Sequence, residues 1–432
     1  MTGPTSVLPP PPPVLDHHLD RPPEPDARPT RAWRAAPLCL AMVTLPLISP
    51  AAPGNVSVAD VGVAAAVGSL LLAATYFAVP LRLPYVMGVG TLMIAGTFAA
   101  VVAEASLLTT GITLAQDIWM LLFGAAIANA GRDPALLATM LRFWVGSATV
   151  YAGLVVVGLV THVNALAGIT SANGYRAQFT LGDPNVSGNY FLIALFVLRA
   201  MQWPAARRKR WPMCLLLLVG VVFSGSNGAI IGLAVGTVLA MLMRIRRERG
   251  YVPVVALVSI TCLVALLAAP YVNPTTLREK AADSVPVLRD GIGRSNQSSS
   301  ERQKLWSEST RLWMTGNLAG IGPAETESTL LQQNAPYVKE AHNDYFAALV
   351  ERGLLGAVGL LLLIATIALR VGRPAALGLR PEFAKVAPRP ELLVSAAVTM
   401  ALAALFYETL HFRHLWALLG VVAAIDIWGR RT

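Results

Sequence analysis

A histidine, an asparagine, an aspartate and a tyrosine stand in a row at His342-Asn343-Asp344-Tyr345, immediately ahead of a long apolar run. Imidazole ordinarily titrates near neutral pH, so His342 can take a proton from a hydroxyl or return one. Asn343 and Asp344 are helix-capping side chains, and the apolar run that follows predicts a helix N-terminus at this point. Unpaired amides and the positive end of the helix dipole there favour an anion such as phosphate. They also disfavour imidazolium, leaving His342 as a proton acceptor. A histidine at such a boundary is often only a hydrogen-bonded structural group, so its neighbours decide between the two roles.

Several charged neighbours qualify. Glu351 and Arg352 fall about two turns into the same helix, where charge is costly and points into a polar cavity. Asp344 and Glu351 are spaced to share one helix face; Glu351 either lines the same site or pairs with Arg352 or Arg413. His411, Arg413 and His414 form a further cluster that could complete the site or, with His342 and Asp344, hold a metal. No HExxH-like spacing accompanies them, and neither a metal nor another cofactor is expected. Cys39, Cys214 and Cys262 all lie in or beside apolar runs, which predicts no disulfide and no cysteine metal site.

The elements that must hold these residues follow from composition. With 55% hydrophobic against 13% charged residues over 432 positions, and apolar runs of about 20 residues recurring throughout, the chain reads as an all-α polytopic membrane protein. The expected spans are 36–50, 57–79, 84–103, 114–130, 143–161, 185–201, 212–223, 228–243, 252–272, 344–369, 391–409 and 412–429, making about twelve transmembrane helices. Basic clusters at 207–210, 244–249 and 370–389 all follow even-numbered spans, which places them and both termini in the cytoplasm. Residues 1–34 are too rich in proline for a helix interior and read as a disordered cytoplasmic tail, without the order of a signal peptide. The remainder, 35–432, reads as one transmembrane domain. The formal charge of +10 is scattered among short loops, so topology explains it and no nucleic-acid partner is implied.

Two outward connections are long, 162–184 and 273–343, the second a large external loop between spans nine and ten. Within it, Ser298 and Glu301 have the form of a capping box. Leu305, Trp306, Leu312 and Trp313 then recur at helical spacing, predicting an amphipathic helix over 299–315. Its tryptophan stripe would lie at the membrane interface or against the bundle, with Arg302 and Arg311 toward the external aqueous side. Gly320, Gly322 and Pro323 end that pattern in a turn.

Taken together, His342-Asn343-Asp344-Tyr345 with Glu351, Gly353 and Gly356 after them, and Arg302, Trp306 and Gly320-Ile321-Gly322-Pro323 before them, resemble the O-antigen ligase and polymerase superfamily. A weaker part of the resemblance is Asp183-Pro184-Asn185 with Gly188, followed by Ser224-Gly225-Ser226-Asn227-Gly228. The resemblance implies a GT-C-like membrane glycosyltransferase of the bacterial inner membrane acting on a polyprenyl-diphosphate-linked glycan donor and a glycan or lipid acceptor. It implies that His342 takes part in catalysis and that Arg302 contacts the donor diphosphate. Where the family often has arginine in a Ser-Arg-Gly motif, this chain has Asn227, which brings hydrogen bonds but no charge. Arg176, Arg311 or Arg413 would then supply the missing cation. Asn343, Asp344, Tyr345, Glu351, Asn227, Asn185 and Arg413 are the supporting residues this reading selects.

Two other function classes fit a chain of this kind. A transporter or flippase of lipid-linked sugars would concentrate polar groups near the midplane and show related halves, whereas the polar cluster here is at the outer end. The other is a non-catalytic assembly protein of the envelope.

Overall fold

The computed structural model describes residues 27–48, 56–77, 80–168, 176–268, 295–340 and 342–431; the side chains of 27–34, 77, 265, 268 and 295–302 fall outside that description. The chain is all-α, with no strand among the described residues. Its helices are α1 (Ala27–Thr44), α2 (Val58–Phe77), α3 (Val86–Val102), α4 (Leu107–Ala130), α5 (Pro134–Val160), α6 (Asn164–Ala167), α7 (Pro184–Met201), α8 (Arg207–Phe223) and α9 (Asn227–Arg249). They continue as α10 (Tyr251–Ala268), α11 (Ser295–Thr315), α12 (Thr326–Gln332), α13 (Asp344–Leu377), α14 (Pro381–Val386), α15 (Glu391–Ala403) and α16 (Arg413–Ala424). Among the described residues, five stretches are long and apolar enough to cross a membrane: Val58–Tyr76, Leu107–Ala130, Pro134–Val160, Asn227–Arg249 and Asp344–Leu377. These make it a membrane-type helical protein.

Several boundaries differ from the sequence reading. Of the tail expected over 1–34, residues up to 26 lie outside the described residues, whereas α1 already begins at Ala27. Pro29 is tolerated there because the first-turn amides of a helix have no intrahelical partner. The basic groups at 207–210 and 244–249 belong to the ends of α8 and α9 rather than to loops. α4 starts at Leu107, well before the expected 114, because Ser106 caps it by accepting the Thr109 amide at 3.3 Å. The span expected over 391–409 ends as helix at Ala403, and the long amphipathic helix runs 295–315 instead of 299–315.

α7 sits at the centre. Phe191, Ile193, Ala194, Val197 and Leu198 are all fully enclosed, as expected of a helix apolar all round. α1 packs on α2 and α5, α15 on α9 and α7, and α16 on α4. α13 lies along α3, where Gly88 meets the Leu363 backbone and Gly359 meets Leu92; small residues of this kind let membrane helices approach closely.

Tertiary contacts gather the N-termini of α2, α4, α7, α9, α13 and α16 at one end. Arg413 at the start of α16 reaches Asp60 in the first turn of α2, with Nε to Oδ1 at 2.8 Å. Arg352 of α13 pairs with Asp117 of α4 at 2.7 Å. Arg176 joins α7 to the turn before α9 through Asn185 and the Ser224 carbonyl, and Tyr407 lies against Gly228 in the first turn of α9. At the opposite end, buried Asp426 in the π-helical turn Ile425–Gly429 receives Arg370 at 2.9 Å and Arg430 at 3.6 Å.

Candidate active site

The His342-Asn343-Asp344 triplet opens α13 and is held almost entirely by one distant segment, 404–410. Asn343 is the cap: its Oδ1 accepts the Tyr345 and Phe346 amides at 2.9 and 3.1 Å, while its Nδ2 donates to the Leu405 carbonyl at 2.9 Å. Asp344 is buried. Its amide donates to the Ala404 carbonyl at 3.0 Å, and its Oδ2 accepts the Thr409 amide at 2.8 Å and hydroxyl at 2.6 Å. His342 has φ of 45°, in the left-handed region, and its amide donates to Glu408 Oε1 at 3.1 Å. Its side chain is exposed. Tyr345 is tied back by its hydroxyl to the Ala401 carbonyl at 3.0 Å.

Nine residues into α13 the helix breaks at Gly353, with φ of 65° and ψ of −164°. The break frees backbone groups on either side, and the turn at 318–322 takes them up. Ile321 donates to the Val350 carbonyl at 3.1 Å, Gly322 to Glu351 at 3.0 Å, and Leu354 to Leu318 at 3.0 Å. Glu351 is buried and turned toward this turn, accepting the Ala324 amide at 2.9 Å and the Thr326 hydroxyl at 2.7 Å. Its partner is therefore neither Arg352, which pairs with Asp117, nor Arg413, which pairs with Asp60.

α11 closes one side. Its stripe packs on the bundle: Leu305 and Leu312 are buried, and Trp306 lies 6.4 Å from the Phe346 ring and 6.5 Å from Phe406, stacked on the latter. Arg311 is engaged by Glu308 at 2.7 Å and Gln333 at 2.9 Å. The Arg302 side chain lies outside the described residues. Arg176 is buried, with Nη2 to Asn185 Oδ1 at 2.7 Å and Nε to the Ser224 carbonyl at 3.0 Å. Asn227, half-buried, is the first residue of α9, which Ser226 caps. The structure thus joins His342, Asn343, Asp344 and Tyr345 to the 404–410 segment, Glu351 to the glycine turn, and Arg176 to Asn185.

His414 does not join this group. It is fully enclosed, 5.8 Å from the Tyr190 ring and 5.1 Å from Phe412. Among the described residues, no group of three or more His, Cys, Asp or Glu stands where it could hold a metal ion.

Glu408, Thr409, Thr326, Asp60 and Asp117 enter the site without having been singled out in the sequence. Asp60 and Asp117 carried a readable signal, since each is the sole acidic residue of its apolar helix and an intramembrane carboxylate marks a functional or paired position. Glu408 stands in a distinctive field. Desolvation pushes its carboxyl well above the ordinary glutamate range, Glu351, Glu340 and Asp344 push the same way, and the His342 amide opposes them. Desolvation also lowers the His411 imidazole, against the pull of Asp117.

A pH dependence follows with a definite sign. A carboxyl raised in the folded state contributes stability below its unfolded value and loses it as pH rises through the folded one. The melting temperature of the wild type is expected to fall as pH climbs above the ordinary glutamate range, and that of Glu408→Gln to fall less. Thermal melts at stepped pH check this; parallel curves would assign the slope to other groups.

Comparison with known families bears on the same stretch. Residues 212–361 match the family model described as O-antigen ligase. The match supports the O-antigen ligase superfamily. The matched stretch takes in most of α8, all of α9 to α12, and α13 past its break, so it contains Asn227, Arg302, Arg311, His342, Asn343, Asp344, Tyr345 and Glu351. Arg176, Asn185, Arg413 and the 404–410 segment lie outside it. An O-antigen ligase- or polymerase-like role in surface polysaccharide assembly is what this match supports. No curated protein matches the chain.

Proposed function

We propose that the protein is a membrane glycosyltransferase that polymerises or ligates polyprenyl-diphosphate-linked oligosaccharide at the outer face of the bacterial cytoplasmic membrane, in the assembly of O-antigen, capsule or exopolysaccharide. What carries this reading is the coincidence of the O-antigen ligase match with the end of the bundle where helix N-termini converge around His342. In this orientation the basic end, with Arg370 and Arg430 on Asp426, is cytoplasmic, as are both termini. Twelve spans carry the chain through the bilayer in one domain, with the proline-rich tail ahead of α1 inside and the 273–343 loop outside.

The chemistry follows from the donor. The bond from sugar to diphosphate breaks faster where positive charge and amide donors meet the departing anion. Arg302 is the proposed contact: by helical spacing its position shares a stripe with Leu305, Trp306 and Ser309, the packed side of α11. Arg176, Arg311 and Arg413 each hold protein partners, so their part is to set the field and the walls. His342 takes the acceptor hydroxyl's proton as that oxygen attacks the anomeric carbon. The acceptor–sugar bond forms, the sugar–phosphate bond breaks with its electron pair leaving on the diphosphate, and the anomeric centre inverts. Asn343, Asp344, Tyr345, Glu351, Asn185 and Asn227 support this arrangement, and the route asks for no metal.

Removing one donor of this kind costs about 2.7–4 kcal/mol of barrier. Arg302→Ala is therefore expected to lower kcat/KM for a polyprenyl-diphosphate oligosaccharide by two to three orders of magnitude, on the order of that barrier change, with Arg302→Lys between the two. Initial rates of glycan transfer measure it. Wild-type rates in Arg302→Ala would remove Arg302 from the diphosphate contact.

A further inference from the structure

We propose that Glu408 is a positioning residue, whose carboxyl fixes the left-handed turn at His342 by accepting the His342 amide and so sets where the imidazole stands. The proposal rests on the reading that His342 takes the acceptor's proton.

A non-glycine residue with φ of 45° is uncommon, although histidine tolerates the region better than most. Such a conformation persists only where the surroundings over-determine it. Here the determination comes from a single segment. Asn343 Nδ2 bonds to Leu405 at 2.9 Å, the Asp344 amide to Ala404 at 3.0 Å, and the Asp344 carboxyl to Thr409. Those bonds fix residues 343 and 344. At His342 itself the backbone amide donates to Glu408 Oε1, at 3.1 Å.

The segment that presents Glu408 is itself braced. Phe406 stacks on Trp306 of α11, Tyr407 lies against Gly228 of α9, and the Trp416 indole of α16 donates to the Leu410 carbonyl at 2.7 Å. Glu408 is thus carried on a platform wedged between three helices. Its charged surroundings do not account for its presence. Glu340 precedes the turn, Asp344 and Glu351 come from α13, and all three are carboxyl groups. Reach to the His342 amide does account for it, because a carboxyl accepts that bond in either protonation state. The whole segment lies beyond the O-antigen ligase match, so the proposal adds a residue to the site that the match does not supply.

Two readouts test this on the purified full-length protein in lipid nanodiscs, comparing wild type, Glu408→Ala and Glu408→Gln. Misplacement of a reacting group by about 1 Å costs on the order of 10²-fold in rate. Glu408→Ala is accordingly expected to lose about 10- to 100-fold in kcat with the donor KM little changed, and to speed amide hydrogen exchange over 342–346. Glu408→Gln, whose carbonyl also accepts, should return both toward wild type. Unchanged kcat and exchange in Glu408→Ala overturn the proposal. So does a Gln variant as slow as Ala with wild-type exchange, which would make Glu408 a proton carrier. If the wild type transfers no glycan, the transferase reading fails by itself, and exchange alone then decides whether Glu408 holds the turn.

Discussion

His342→Ala is expected to lower the rate of glycan transfer by ~10²- to 10⁴-fold, the range that a positioned general base contributes, while leaving the melting temperature nearly unchanged. The separation of the two effects is the point of the variant. The His342 side chain is exposed, and the turn is held through its backbone amide and through Asn343 and Asp344. Alanine keeps that amide and every one of those bonds. Loss of an exposed side chain usually moves stability within about 0.5 kcal/mol, to which the left-handed backbone at φ of 45°, tolerated better by histidine than by alanine, adds a small strain. A large loss of rate in a protein that melts as the wild type does would therefore report on the imidazole itself. A melting temperature lowered in step with the rate would instead make His342 a structural residue.

Gly353→Ala is expected to destabilise the fold by about 3 kcal/mol or more, from backbone strain of roughly 1–3 kcal/mol with steric overlap added to it. With φ of 65° and ψ of −164°, residue 353 occupies a region of backbone space that is essentially glycine's alone. A Cβ there would also stand 2.3 Å from the Leu318 carbonyl oxygen and 2.4 Å from the Ala319 carbonyl carbon. These are backbone atoms, so no side chain can swing aside. Relief would require parting the 318–322 turn from the α13 break, breaking the bonds from Ile321, Gly322 and Leu354 and displacing Glu351 from Ala324 and Thr326. Thermal or denaturant unfolding of the purified protein measures the loss. A variant as stable as the wild type would mean that this break is not part of the folded state.

Gly353 also shows how far the sequence could be read. Its place in a motif with Glu351 and Gly356 was visible, and so was the turn at Gly320 and Gly322. Their pairing was not, because apolar spacing resumes at Leu354 on the far side of Glu351-Arg352-Gly353 and helical periodicity carries no signal of a contact with a turn roughly 30 residues earlier. His342-Asn343-Asp344 announced a helix start from local chemistry alone, and Asn343 caps it. The apolar run past Ala403 looked like more helix, but the Ala404 and Leu405 carbonyls are taken by Asp344 and Asn343, and the chain turns there instead. Glu408, Asp60 and Asp117 reach their partners across separations of 66, 353 and 235 residues. Helical periodicity reports only on neighbours three or four apart, so such pairs are invisible to it. The family pattern, for its part, reaches only as far as residue 361.

The most direct test of the central claim is a single reconstituted reaction. Purified protein is mixed with a defined polyprenyl-diphosphate oligosaccharide and a glycan acceptor, and the products are followed by mass spectrometry in parallel with His342→Ala. The account predicts an acceptor lengthened by the whole oligosaccharide, release of polyprenyl diphosphate in equal amount, and neither product from His342→Ala. Equal transfer by both proteins would contradict it, as would intact donor that has merely crossed the bilayer.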